Sequence, residues 1–153
     1  MCLSAVTENF DPPLSEEVNA WKVFVVDPAT REIFPMFFDR CTKIQPNIWV
    51  RDPNSYLDDI ARILRVSTWY SYKVGFHSFL KKEDAEKYME AFSQKASEKY
   101  IVLPVRCRRI VVKGVQVLWY DTTIFRKLMS LQSIVSEEIF VEYTANEKET
   151  KCV

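Results

Sequence analysis

The sequence contains very little glycine and histidine, with two glycines and one histidine in 153 residues. Turns must therefore use proline, asparagine and aspartate, as at Asp27-Pro28 and Asp52-Pro53. No apolar run approaches the roughly 18 residues that a membrane-spanning helix needs, and the amino terminus lacks the basic and apolar regions of a signal peptide. These absences predict a chain without membrane contact that stays in the cytoplasm, or in the host cytoplasm if the protein is viral.

Motifs for cofactors and metals are also missing. None of the cysteines, Cys2, Cys41, Cys107 and Cys152, forms a C-x-x-C pair, and His77 has no second ligand at metal-binding spacing. The chain has no P-loop, G-x-S-x-G, H-E-x-x-H or dinucleotide-binding fingerprint. We therefore expect reduced thiols, no metal and no cofactor, and the sequence does not display an assembled catalytic constellation.

The charge of the chain is balanced overall but unevenly distributed. Lysine plus arginine and aspartate plus glutamate each number 21. Residues 95–127 carry eight basic and two acidic residues, whereas residues 1–60 carry ten acidic and five basic ones. This asymmetry permits an anionic partner at one face of the protein, although ordinary solvated strand faces explain it more simply.

The distribution of apolar residues predicts one folded domain over residues 18–143. Asp11-Pro12-Pro13 interrupts regular structure, so we expect residues 1–17 to form an irregular arm, and polar residues 144–153 to form a flexible tail. Apolar residues at helical spacing predict helices at 56–65 and 83–98. The secondary structure of residues 124–131 is left open, since a helical turn or two fits there. Strands are predicted at 18–26 and 33–38 as a hairpin, and at 66–74, 100–113 with a break or bulge at Pro104, 115–120 and 139–143. This order predicts an α+β fold, with a curved, mainly antiparallel sheet and two or three packed helices.

The segment from Gly75 to Phe79 contains the only histidine, between a predicted strand and a predicted helix. Gly75 and His77 are expected to form a structural turn, with His77 hydrogen-bonded inside an aromatic shell. A catalytic alternative pairs His77 with Cys2. If Met1 were removed, Cys2 would carry a thiol and a free α-amine, as in N-terminal nucleophile enzymes. The α-amine can serve as the base, and His77, whose ordinary pKa is near neutrality, can pair with Cys2 or act as the acid.

A basic strand offers a second candidate site. Strand alternation places Arg106 and Arg108 on one face and Cys107 on the other, where the thiol is expected to be buried and inert. Together with other basic and aromatic residues they could form a surface for single-stranded nucleic acid. That surface would consist of Arg106, Arg108, Lys113, Trp69, Tyr70 and Tyr72. Arginine and aromatic residues also dominate protein interfaces, so the same surface fits a protein partner.

The order of these motifs resembles a group of small uncharacterised proteins of phages and bacteria. The resemblance rests on the Met1-Cys2-Leu3 start, the Gly-Phe-His-Ser-Phe segment, the Asp84-Ala85 pair that follows it, and Cys107 ahead of Lys113-Gly114. Residues 30–71 have no counterpart in that group, and the segment after Cys107 is longer here. The resemblance implies a shared α+β core and a phage or mobile-element origin, but no activity.

The sequence thus leaves three functions open. The first is a small cytosolic module that binds another protein as an inhibitor or accessory factor and has no catalysis of its own. The second is an enzyme that uses Cys2 with His77. The third is a single-stranded nucleic-acid binder that uses the strand of Arg106 and Arg108. The oligomeric state is left open.

Overall fold

The computed structural model describes residues 3–36, 43–53, 60–65, 68–73, 75–93, 99–121 and 126–143. Within these ranges there are nine strands and one helix. In chain order they are β1 (Ala5–Leu14), β2 (Val18–Val26), β3 (Ile33–Pro35), β4 (Trp49–Arg51), β5 (Ile60–Arg65), β6 (Thr68–Lys73), β7 (Phe76–Phe79), α1 (Lys82–Ser93), β8 (Lys99–Asp121) and β9 (Arg126–Val141). Strands β5 and β6 form a separate antiparallel hairpin, and the other seven strands form one sheet.

The main sheet closes partly on itself. Its strand order is β1-β8-β2-β7-β9-β4, with β3 attached to β2. Strand β8 pairs with β2 over the first part of its length and with β9 from Val105 onward. Because β2 also pairs with β7 and β7 with β9, the strands β8, β2, β7 and β9 form a closed ring.

The largest hydrophobic cluster fills the space that this ring encloses, since all four ring strands contribute to it. On β2 the inward positions alternate, with Ala20, Phe24 and Val26 fully or nearly fully buried. The remaining buried members are Ile33, Ile44, Phe76, Leu103, Val105, Cys107, Ile110, Ile134, Ile139 and Val141. This interior sets the positions of the strand faces on which the candidate sites lie.

Helix α1 covers an outer face of the sheet. Its acidic first turn, with Glu83 and Asp84, favours the positive end of the helix dipole. Ala85 and Tyr88 are buried against Val23 and Phe79 on that outer face. The predicted helix over 83–98 is therefore confirmed for its first part, and residues 94–98 lie outside the described ranges.

The predicted α+β architecture with two or three helices is wrong. In the described ranges α1 is the only helix, and the fold is mainly antiparallel sheet. Ile60–Arg65, expected to be helical, is strand β5 and pairs with β6. Arg126–Val141 is one strand, so the possible helix at 124–131 is absent from Arg126 onward. A short apolar run fits both periods, and pairing with a neighbouring strand decided the outcome here.

The predicted irregular arm is also wrong over most of its length. Residues Ala5–Leu14 form β1, which pairs with β8. The two prolines are tolerated because they lie between Asn9 and Leu14, where the register shifts, and because β1 is at the edge of the sheet. The predicted hairpin of β2 and β3 is confirmed, with Val26 opposite Ile33. The tail at 144–153 lies outside the described ranges.

Strand β8 runs continuously past the positions where a break was expected. Pro104 lies opposite Trp21 inside the β2–β8 pairing, and the strand continues through Gly114. The irregularity lies between Ile110 and Val112, next to Arg109, whose φ of 56° is in the left-handed region. No helix within the described residues is long and apolar enough to cross a membrane.

Candidate functional site

Four neighbouring strands bring one row of side chains onto the outer face of the sheet. Asn19 on β2 lies opposite Arg106 on β8, Arg106 lies opposite Phe140 on β9, and Phe140 lies opposite Trp49 on β4. Because residues in register share a face of the sheet, these side chains form one surface. We call the surface formed by Asn19, Trp49, Arg106, Arg108 and Phe140 the aromatic–arginine face.

The two arginines of this face lie over aromatic rings. The guanidinium carbon of Arg106 is 4.3 Å from the ring centre of Phe140 and 5.6 Å from that of Trp49. The guanidinium carbon of Arg108 is 4.0 Å from the ring centre of Trp49. Both arginine side chains remain partly exposed, at 41% and 38%. The predicted arrangement of Arg106 and Arg108 on one face is therefore seen, with Trp49 and Phe140 as their aromatic partners.

Each arginine also has a carboxylate neighbour. Arg108 Nε donates to Glu138, its cross-strand partner on β9. One terminal nitrogen of Arg106 lies 3.5 Å from Oε2 of Glu17, in the segment that leads into β2. These glutamates reduce the positive potential of the face, which weakens the attraction for the phosphates of a nucleic acid.

A groove of about 190 Å³ opens beside Arg106 on the same face. Exposed Pro104 is the central residue, because β8 runs between β2 and β9. Trp21 of β2 lies on one side, and Phe140 and Glu142 lie on the other. The full lining is Asn19, Ala20, Trp21, Pro104, Val105, Arg106, Phe140 and Glu142. Nε of Arg106 is buried here and has no hydrogen-bond partner among the described residues.

The other residues predicted for this surface lie elsewhere. Lys113 is over the ring of Phe10 and 3.6 Å from Glu8, so it faces β1. Tyr72 is buried, not available for stacking. Trp69 and Tyr70 belong to β6, which is not part of the sheet that carries Arg106, and their side chains lie outside the described part of the structure. The six residues therefore do not form one surface.

His77 lies in strand β7, not in the turn that the sequence predicted. It pairs with Val135 of β9, and Gly75 precedes the strand. A Cβ on Gly75 would lie 2.5 Å from the carbonyl oxygen of Ser136, so the close approach of β9 requires glycine. The expected burial of His77 with aromatic neighbours is found, since it is 6% exposed and beside Tyr72.

A chain of polar contacts links His77 to the amino-terminal segment. The backbone N–H of Leu3 donates to the Tyr72 hydroxyl at 2.8 Å, and that hydroxyl lies 3.5 Å from Nε2 of His77. Leu3, Tyr72 and His77 are all buried. Cys2 lies outside the described residues, but a peptide bond joins it to Leu3. Thus the structure brings the amino-terminal segment close to the only histidine.

The histidine is held neutral. Burial, and then the positive charge of Lys22, place the pKa of His77 well below its ordinary value of 6.5. A neutral imidazole has no proton to give as an acid at pH 7, and the burial and the Lys22 charge that keep it neutral also make it a weak base. Among the described residues no group of histidine, cysteine, aspartate and glutamate side chains could hold a metal ion.

A buried lysine beneath His77 was missed by the sequence analysis. Lys22 is 3% exposed, and its Nζ donates to the backbone oxygen of His77 at 2.7 Å. Burial lowers the pKa of Lys22 to about 8, opposed by the charges of Cys107 and Asp52. Lys22 lies between Ala20 and Phe24 in the alternation of inward-facing residues along β2. That alternation was the sequence signal from which its burial could have been predicted. Cys107 is fully buried as expected, and burial raises the pKa of its thiol, so it is a poor nucleophile.

A second buried charge lies near the aromatic–arginine face. Glu137 is 2% exposed, and its Oε2 accepts from Arg51 at 2.9 Å and from Arg109 at 2.6 Å. The backbone N–H of Asp52 also donates to the carbonyl oxygen of Glu137. These bonds attach the end of β4, and therefore Trp49, to β8 and β9.

No family model, curated protein or solved structure matches the chain.

Proposed function

We propose that this chain is a small cytosolic module that binds another protein through the aromatic–arginine face and has no catalysis of its own. It would serve as an inhibitor or accessory factor of the phage or mobile-element type that the sequence resemblance implies. Support comes from the composition of the face, since arginine and aromatic residues are enriched among the residues that dominate protein interfaces.

The observation that carries the proposal is the stacking of Arg106 and Arg108 on Phe140 and Trp49. Stacking restricts the long arginine side chains before any partner arrives, so less rotamer freedom is lost on binding. The aromatic rings are themselves fixed by strand pairing, with Trp49 opposite Phe140 and a ring-centre distance of 5.6 Å. A rigid patch of this kind is what a specific interface requires.

A protein partner is favoured over a nucleic acid. Glu138 and Glu17 accompany the two arginines, and Lys113 lies against β1. A surface of alternating charge offers paired contacts to a protein but little net attraction for a phosphate backbone. A labelled random oligonucleotide is therefore expected not to bind at about 150 mM salt.

The test is a capture experiment with three immobilised forms of the protein. The wild type, Arg106→Glu/Arg108→Glu and the matched control Lys113→Glu are incubated with the same bacterial lysate. Lys113 lies on the same strand but faces β1, so its variant controls for reversal of a positive charge away from the aromatic–arginine face. A protein that the wild type and Lys113→Glu retain and the double variant loses supports the proposal. Equal retention by all three forms refutes it.

A second candidate function is an enzyme that uses Cys2 with His77. One observation favours it: Leu3 is hydrogen-bonded to Tyr72, and Tyr72 contacts Nε2 of His77. A thiol one residue from Leu3 could then transfer its proton to the neutral imidazole, directly or through the tyrosine hydroxyl.

Alkylation rates test this candidate. Iodoacetamide is added at pH 7, and modification of the peptides containing Cys2 and Cys107 is followed by mass spectrometry. If His77 activates the thiol, Cys2 reacts at least about tenfold faster in the wild type than in His77→Gln, while buried Cys107 reacts slowly in both. Equal rates at Cys2 rule out activation by His77.

A further inference from the structure

The groove beside Arg106 combines an apolar lining with one cationic side chain. Trp21, Pro104 and Phe140 supply the apolar surface, and Arg106 lies next to them. The volume of about 190 Å³ is below the roughly 300–1,000 Å³ of typical small-molecule sites. The groove therefore suits a few side chains of a protein segment better than a whole metabolite.

Arg106 already has a carboxylate beside it. Oε2 of Glu17 lies 3.5 Å from a terminal nitrogen of Arg106, and both side chains are about half exposed. At this separation and exposure an ion pair contributes little to stability. Glu17 therefore marks the side of the guanidinium to which a carboxylate is attracted, and a better-placed carboxylate can displace it.

Arg106 also has an unmet hydrogen bond. Its Nε is buried and lacks a hydrogen-bond partner within the described ranges. An unsatisfied buried donor is costly, and an arginine binds a carboxylate best when two of its nitrogens donate side by side. A small rotation of the guanidinium toward the groove would let Nε and a terminal nitrogen share one carboxylate.

We infer that the groove receives an acidic segment of the partner protein, in which one glutamate or aspartate binds Arg106 and an adjacent apolar side chain lies over Pro104. This inference rests on the proposed function, because it names the chemistry of the partner at the same face. Glu142, which also lines the groove, repels a second carboxylate. The recognised segment therefore carries a single acid with apolar neighbours, not an acidic run.

Two peptides test the inference directly. Acetyl-Leu-Glu-Leu-amide and acetyl-Leu-Gln-Leu-amide are titrated into nitrogen-15-labelled protein, and the signals of Arg106 Nε–H and of the Trp21 indole N–H are followed by NMR. The glutamate peptide is expected to shift both signals saturably and to bind at least about fivefold tighter than the glutamine peptide, because only a carboxylate accepts a charged pair of hydrogen bonds.

Three variants sharpen the comparison. Glu17→Gln removes the competing carboxylate and is expected to tighten binding of the glutamate peptide about two- to fivefold. Arg106→Lys keeps the charge but loses the two-nitrogen contact, and it is expected to reduce the preference for glutamate. Lys113→Gln, remote from the groove, is expected to change nothing.

Equal binding of the two peptides, absence of shifts at Arg106 and Trp21, or an unchanged preference in Arg106→Lys would each overturn the inference.

Failure of the acidic-segment inference is distinguishable from failure of the proposed function. If the capture experiment still depends on Arg106 and Arg108 while the peptides show no preference, only the acidic-segment inference is wrong. If capture is independent of both arginines, the proposed function itself is wrong.

Discussion

The hydroxyl of Tyr72 lies 3.5 Å from Nε2 of His77 and at the same time accepts the backbone N–H of Leu3. Sixty-nine positions of sequence separate Leu3 from Tyr72, so this bond attaches the start of the described chain to the centre of the fold. The arrangement explains why all three residues are buried despite their polar groups. Each hydrogen bond within the protein takes the place of a hydrogen bond to water.

Removing the Tyr72 hydroxyl should destabilise the protein. In Tyr72→Phe the buried N–H of Leu3 loses its acceptor, and we expect the free energy of unfolding to fall by about 1–3 kcal/mol. Urea denaturation measures the change. Tyr143→Phe is the control, because Tyr143 contacts Asn47 through its backbone oxygen, and it is expected to stay within about 0.5 kcal/mol of the wild type. Equal stability of both variants would mean that Leu3 does not depend on Tyr72.

The neutral state of His77 predicts a loss of stability in mild acid. Burial depresses its pKa in the folded protein, so below pH 6.5 the unfolded chain binds a proton that the folded chain does not. The free energy of unfolding is then expected to decrease as the pH falls from 6.5 toward 5, with a slope that approaches at most about 1.4 kcal/mol per pH unit. The measurement is urea denaturation at several pH values between 5 and 8.

His77→Gln separates this effect from that of the carboxylates, which are present in both proteins. The variant should show a flatter dependence between pH 6.5 and 5 than the wild type. A wild-type slope equal to that of His77→Gln would show that folding does not lower the pKa of the histidine.

Lys22 predicts a gain of stability in mild alkali, with the same sign of pH dependence as His77. Its pKa is about 8 in the folded protein and 10.5 in the reference state. The folded chain therefore releases a proton that the unfolded chain keeps, and stability should rise between pH 8 and 10.5 by about 2–4 kcal/mol. Lys22→Met is expected to lose this rise, whereas Lys43→Met, at an exposed position, should retain it. A wild type whose stability does not rise above pH 8 would contradict the assignment.

At Gly114 strand β8 approaches β1 so closely that a side chain at this position is not tolerated. A Cβ at this position would lie 2.3 Å from the backbone oxygen of Ala5. We expect Gly114→Ala to destabilise the protein by about 1–3 kcal/mol, because the two backbones must separate. Hydrogen exchange of the Ser4 amide, which donates to Val115 at 2.8 Å, should accelerate. Ser130→Ala, at an exposed position, is the control and should leave this exchange unchanged.

Some of the fold could be predicted from local sequence patterns and some could not. The β2–β3 hairpin and α1 were predictable because Asp27-Pro28 and the stripe of Ala85 and Tyr88 act locally. The identity of Ile60–Arg65 as strand depends on β6 as a partner, and β1 depends on β8. Pairing between distant segments is not encoded in the period of either segment alone.

The candidate site shows the same division. Alternation along β8 correctly placed Arg106 and Arg108 together, but their stacking partners Trp49 and Phe140 arrive from β4 and β9 through register alone. Lys113 was wrongly grouped with them because its side chain is drawn to Glu8 and Phe10 of β1. That pairing of distant segments is not visible in the local sequence of β8.

The most direct test of the proposed function is the affinity for the partner identified by capture. Isothermal titration calorimetry of the purified pair should give a dissociation constant that Arg106→Glu/Arg108→Glu weakens at least about 100-fold, because two central arginines of an interface carry several kcal/mol. Lys113→Glu should weaken it less than about threefold. Thermal melting of each variant confirms folding. An affinity that the double variant leaves unchanged, or that Lys113→Glu weakens as much, would contradict binding through the aromatic–arginine face.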